Sequence, residues 1–142
     1  MSHSWGAEEI ARERRRQMAL QAPGEAWTAE HDDEHTGGTM AAAAACYAAP
    51  YAIACIRLPD GLRECDGWPW DAEWDKRMRR PLPRGGDDPV FITIRIRELA
   101  KAGALIAAEI DRLYRLHGCG DLMRVPLDVV ERVGRIGDWG ER

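Results

Sequence analysis

The stretch from Leu99 to Leu116 constrains the fold most, because Leu99, Gly103, Ile106, Ile110 and Leu113 recur at steps of three and four residues. That spacing sets them on one face of a helix, the face an amphipathic helix turns to its core, with Lys101, Glu109, Asp111 and Arg112 largely off the stripe. It predicts the central helix of a mainly α chain. A second helix is predicted from Met40 to Ala49, where the run is almost entirely alanine. Alanine favours helix intrinsically and lets another helix approach closely, so the two are expected to pack together. Pro50 stops the second helix.

Around this pair the remaining segments read as parts of one helical domain spanning residues 1–142, the whole chain. Trp5 to Gln21 has no proline and is rich in Ala, Glu, Arg, Gln and Met, so residues 1–26 read as an N-terminal helix and linker. Its apolar positions are sparse, chiefly Ile10, Met18 and Leu20, which predicts a surface helix. Arg12, Arg14, Arg15 and Arg16 interleave with Glu8, Glu9 and Glu13 and read as a solvated face. Thr28 can cap a further turn, and Glu30, Asp32 and Asp33 suit the positive end of that helix. Gly37-Gly38 interrupts it. At the other end, residues 119–142 are expected to form a short helix from Pro126, with Val129, Val130, Val133 and Ile136 inward, and a tail.

Between Tyr51 and Pro89 the period is lost and Pro59, Gly61, Gly67, Pro69, Pro81, Pro83, Gly85 and Gly86 punctuate the chain. This is a long irregular insertion rich in Trp, Pro and Gly, a length that marks binding segments in compact domains. Its three tryptophans argue against full disorder. Next, Ile92, Ile94 and Ile96 alternate with Thr93, Arg95 and Arg97, the period of a short strand over 90–96. The alternative is that Asp87-Asp88-Pro89 opens one helix running on to Leu116, since proline is favoured at the first helical position after an acidic cap.

A formal net charge of -4 provides no global footprint for duplex nucleic acid or an anionic membrane. No stretch approaches the roughly eighteen apolar residues of a membrane helix, and the start of the chain is charged where a signal peptide is apolar. Cys46, Cys55, Cys65 and Cys119 form no C-x-x-C pair and read as reduced thiols. The expected setting is the cytoplasm. Phosphate-loop, dinucleotide-fold and nucleophile-elbow motifs are missing, which disfavours ordinary ATPases, Rossmann enzymes and serine hydrolases.

Two constellations carry chemistry. His31 and His35 stand four residues apart, so a helix through them puts both imidazoles on one face, with Asp32, Asp33 and Glu34 adding oxygen donors. A divalent metal held by His31, Asp32, His35 and Glu109 would make the chain a phosphohydrolase. The competing reading is a helix start with acidic residues at its dipole and histidines that only hydrogen-bond. Trp68, Trp70 and Trp74 lie close together and are followed by Lys76, Arg77, Arg79, Arg80 and Arg84. Indoles stack on bases while guanidinium groups grip phosphates, so this set suits a small nucleotide; equally, the tryptophans can anchor a loop onto the core. The alanine run reads as a helix contact and could also join subunits in a homo-oligomer.

From Trp27 to Tyr114 the chain resembles a family of short proteins encoded in bacteriophage and prophage genomes. The carriers are W-T-A-E-H-D-D-E-H-T-G-G at Trp27 to Gly38, A-A-A-A-C-Y-A at Ala42 to Ala48, W-P-W-D at Trp68 to Asp71 and K-A-G-A-L-I-A-A-E-I-D-R-L at Lys101 to Leu113. The chain departs from the family pattern at Thr39-Met40 and at Val90 to Ile96. The family carries no established activity; the resemblance implies a viral accessory protein in the bacterial cytoplasm, working against host defence. The leading expectation is therefore binding and sequestration of a nucleotide-derived host signal, without catalysis or a required cofactor. Trp68, Trp70 or Trp74 would stack the base, Arg79, Arg80 or Arg84 hold phosphate, and His31, Asp32 and His35 contact ribose or base. The alternatives are the metal-dependent hydrolase and a protein that inhibits a host enzyme through its tryptophans.

Overall fold

Asp88 and Pro89 decide where the longest helix begins. In the computed structural model, which describes residues 2–19, 27–49, 54–58, 61–65, 67–77, 88–122 and 124–135, Asp88 Oδ1 accepts the Val90 N–H at 2.8 Å and Pro89 opens the first turn. Pro89 lacks an N–H and has a helical φ, so it costs nothing there. Helix α4 then runs unbroken from Pro89 to His117. The strand expected over 90–96 is therefore corrected to helix. Alternation over three isoleucines is compatible with either period, and the acidic cap with proline behind it decides between them.

The other helices are α1 (Trp5–Met18), α2 (Ala29–Glu34), α3 (Thr39–Ala48), α5 (Cys119–Leu122) and α6 (Leu127–Arg135). The chain is mainly α. The insertion contributes β1 (Ala54–Leu58) and β2 (Gly61–Cys65), which pair antiparallel with Ile56 opposite Arg63, and a 3-10 turn over Ala72–Trp74. Among the described residues, α1, α2 and α3 all pack on α4, and α6 packs on no other element.

Alanine sets the closeness of this packing. Ala43, Ala44 and Tyr47 of α3 meet Ala102 and Leu105 of α4 in one buried cluster, with Ala100, Ala104 and Ala108 buried beside it. Small side chains let backbones approach, and Gly103 does the same for α1. A Cβ on Gly103 would lie 2.5 Å from Cδ1 and Cγ1 of Ile10. Helix α3 is entered through Gly37 and Gly38, both left-handed at φ 71° and 77°, a conformation glycine adopts freely. Its other end has no basic residue of its own in the last turn. Arg95 of α4 supplies one, donating to the carbonyls of Tyr47 and Ala48.

The face of α4 that is buried is thus the alanine face. Leu99, Ile106, Ile110 and Leu113 do share a face, but that face is 39–48 % exposed, which corrects the expectation that it forms the core. Val130 is likewise exposed and Val129 half-buried; the side chain of Val133, and Ile136, lie outside the described residues.

A buried ion pair joins the small elements to the large one. Arg14 Nη2 of α1 lies 2.7 Å from Asp32 Oδ2 of α2, with Asp111 Oδ2 of α4 at 3.7 Å. Asp32 is 0 % exposed. Arg14 therefore departs from the solvated face read for its helix, since it points inward while Arg12 and Arg16 pair with Glu9 and Glu13 on the outside.

Asp32→Ala strands the Arg14 guanidinium without its main partner and is expected to cost about 3–5 kcal/mol, the range for breaking a buried pair; urea denaturation measures it. The double change Arg14→Met, Asp32→Leu should recover most of that loss. Gly103→Val, which drives two methyls into Ile10, is expected to lose about 1–3 kcal/mol by the same measurement.

Candidate functional site

The segment W-P-W-D folds back onto the core because its indoles have nowhere else to bury apolar area. Trp68 and Trp70 pack against the Ala43–Tyr47–Leu105 cluster. The Trp68 ring meets Tyr47 edge to face at 5.7 Å, and its Nε1 donates to the Asp71 carbonyl at 3.2 Å. The Lys76 N–H donates to the Tyr47 hydroxyl at 3.2 Å. Behind it, Arg77 lies over the Trp68 ring at 5.2 Å while paired with Asp75 at 2.7 Å. That stacked guanidinium, its side chain buried along with that of Asp75, fixes Trp68 in place.

Helix α2 brings the histidines to the same place. Thr28 caps it by accepting the His31 N–H at 3.2 Å, and His35 ends it, donating its N–H to the Asp32 carbonyl at 3.1 Å. The four-residue spacing holds the two imidazoles face to edge, with Nε2 to Nε2 at 3.4 Å. One ring must donate and the other accept, so the pair is best served when not doubly protonated. Burial pushes the His35 imidazole below its ordinary pKa; the His31 ring beside it pushes the same way, against a smaller opposing pull from Asp32 and Glu34. Trp70 closes the cluster, with ring centroids 4.9 Å from His35, 5.4 Å from Trp27 and 5.5 Å from Trp68.

Trp27, Trp70 and Trp74 form a shared wall between two cavities. The first, about 390 Å³, is completed by His31, His35, Pro69 and Asp71, with no lysine or arginine in its lining. The second, about 370 Å³, is completed by Tyr47 and Trp68 together with Arg16, Lys76, Arg97, Lys101 and one carboxylate, Glu13. Glu13 holds Arg16 through two hydrogen bonds at 2.8 and 2.7 Å. Burial raises the Glu13 pKa, but that guanidinium, the Gln17 amide and the Lys101 ammonium together lower it by more and leave it below its usual value. Burial also lowers Lys101, whose ammonium sits over the Tyr47 ring at 5.6 Å. One cavity is thus aromatic and uncharged apart from Asp71, and its neighbour is aromatic and cationic.

Of the residues singled out from the sequence, Trp68, Trp70, Trp74, His31 and His35 come together here. Asp32 does not line either cavity, because its carboxylate is spent on Arg14. Arg79, Arg80 and Arg84 lie outside the described residues. Glu109 is bonded to Arg112 at 2.9 Å through both oxygens. Among the described residues no group of three or more His, Cys, Asp or Glu converges as a metal site, so the set His31, Asp32, His35 and Glu109 is not assembled. The residues that sequence reasoning missed are Trp27, Tyr47 and the cations Arg16, Arg97 and Lys101. The signal for the last two was their four-residue spacing on α4, away from the aliphatic stripe.

No model of a known protein family, no curated protein and no solved structure matches the chain. Among the described residues no helix is long and apolar enough to cross a membrane.

The depressed His35 pKa fixes the sign of a pH effect. The unfolded chain takes up the proton first, near the ordinary value of about 6.5, so this contribution to stability is full above that pH and is lost as pH falls below it. Thermal melts from mildly alkaline to mildly acidic pH are expected to show stability falling through that region. His35→Gln should flatten the dependence; an unchanged slope would refute the assignment.

Proposed function

We propose that the chain binds a small nucleotide-derived molecule across the tryptophan wall and retains it unaltered. The single observation that carries this reading is the pairing of the two cavities. An aromatic cavity free of cations adjoins an aromatic cavity rimmed by Arg16, Lys76, Arg97 and Lys101, with Trp70 and Trp74 common to both. A base needs flat π surface and a few polar groups at its edge; a phosphate needs cations. In this reading the base lies against Trp70 or Trp74, with His31, His35 and Asp71 within the same cavity, and the phosphate lies among the cations next door. The Asp71 carboxylate accepts only, which favours bases that present amino groups.

Retention without turnover is favoured because the groups that would supply hydrolysis are occupied elsewhere, Asp32 with Arg14 and Glu109 with Arg112. We extend the proposal to a counter-defence role: if the chain shares the phage and prophage origin that its motifs resemble, it would withdraw a host signalling nucleotide in the bacterial cytoplasm.

The test is calorimetric titration with a panel of cyclic and linear nucleotides, followed by denaturation and chromatography of what was bound. Recovery of unaltered ligand is the expected result; new products would mean catalysis, and no binding would overturn the reading. Trp74 is the cleanest position to change, since it lines both cavities yet is 44 % exposed. Stacking on an aromatic contributes about 1–3 kcal/mol per base, so Trp74→Ala is expected to weaken binding about 5- to 150-fold without unfolding the chain. Arg97→Ala should weaken it too and make it less sensitive to salt.

A further inference from the structure

Along α4, Ile92, Ile96, Leu99, Gly103, Ile106, Ile110 and Leu113 follow one another at alternating steps of four and three residues. The six large side chains among them are 39–48 % exposed. Among the described residues α2 and α3 pack on other faces of α4, and α1 meets the stripe at its midpoint, where Ile10 lies over Gly103 and fills the space a side chain there would take. An alternation of four and three averages 3.5 residues, the period that keeps an apolar seam facing a partner helix along its whole length.

We infer that this stripe is the interface at which two copies of the chain pair through α4, with the two helices antiparallel. Three features favour a second copy. The stripe is self-complementary about its middle: reversing the helix around residues 102–103 sets Ile92 beside Leu113, Ile96 beside Ile110 and Leu99 beside Ile106. The charged flank agrees, because Arg95 and Glu109 border the same edge, and only the antiparallel arrangement brings each beside its opposite. Both keep internal partners, Arg95 with Glu98 and the Tyr47 and Ala48 carbonyls and Glu109 with Arg112, so the cross-pair biases orientation and adds little affinity.

The third feature is length. From Ile92 to Leu113 the stripe is about 32 Å long at 1.5 Å per residue. Helix α6, amphipathic and nine residues long, spans only about 13 Å, so it cannot cover the seam. A second α4 matches it end to end. Such a dimer leaves the tryptophan wall open, since neither cavity is lined by a stripe residue.

Analytical ultracentrifugation of the full chain tests this. The wild type is expected to sediment as a dimer, whereas Leu99→Glu and Ile106→Lys are each expected to be monomers with unchanged helical circular dichroism, because the altered side chains are solvent-exposed within one copy. Mixing the two variants should restore the dimer. In the antiparallel seam Glu at 99 of one copy meets Lys at 106 of the other, while a parallel seam leaves both charges facing aliphatic side chains. A monomeric wild type, or variants that still dimerise, would overturn the interface. A mixture that stays monomeric would overturn its orientation.

Discussion

The close approach of α3 to α4 is the contact on which the rest of the molecule depends. It is made of alanines and one leucine, with Tyr47 at its edge, so it contributes less apolar area per residue than a leucine-rich core and is correspondingly intolerant of added volume. What it provides is position. Tyr47 projects from it toward the W-P-W-D segment, Leu105 floors the cationic cavity, and Lys101 is carried to the ring of Tyr47. A wider helix spacing would separate those groups.

On that base the site is organised around Trp70, which touches Trp27, Trp68 and His35 with none of the rings coplanar. The contacts with Trp27 and Trp68 are edge to face and therefore directional, so they hold the indoles in one arrangement where simple apolar packing would allow several. The electrostatics divide along the same line. Cations gather on the side of α1 and α4, while the histidine pair and Asp71 remain on the side of α2. The division follows from α1 and α4 presenting Arg16, Arg97 and Lys101, α2 presenting the histidines, and the tryptophan segment placing Lys76 and Asp71 on opposite sides. A ligand with an uncharged flat end and an anionic end matches that division.

Much of the helical framework was legible in the residues. Thr28 and Asp88-Pro89 mark helix starts by a mechanism, and the alanine run announces a tight contact. What periodicity could not say is which face of α4 is covered. Leu99, Ile106, Ile110 and Leu113 fall on one side whether that side meets the chain's own core or lies outward, and the choice was made by the alanines opposite them. Arg14 was obscured for a related reason: among Arg12, Arg15 and Arg16 nothing local distinguishes the one guanidinium that meets Asp32, a partner eighteen residues away. The tryptophans and histidines of the site were visible as residue types, yet their meeting depends on the path of the insertion, where proline and glycine remove the period on which pattern reasoning relies.

The guanidinium of Arg95, set against the last carbonyls of α3, carries a consequence for how the chain acquires its structure. A ten-residue helix with no capping side chain at its start and no cation at its finish has little reason to persist alone in water. Its terminal charge is lent by a residue forty-eight positions further on. The alanine helix therefore comes into being only as α4 docks, so the two should protect their amides from exchange together, as one cooperative unit and not as a preformed rod waiting for a partner.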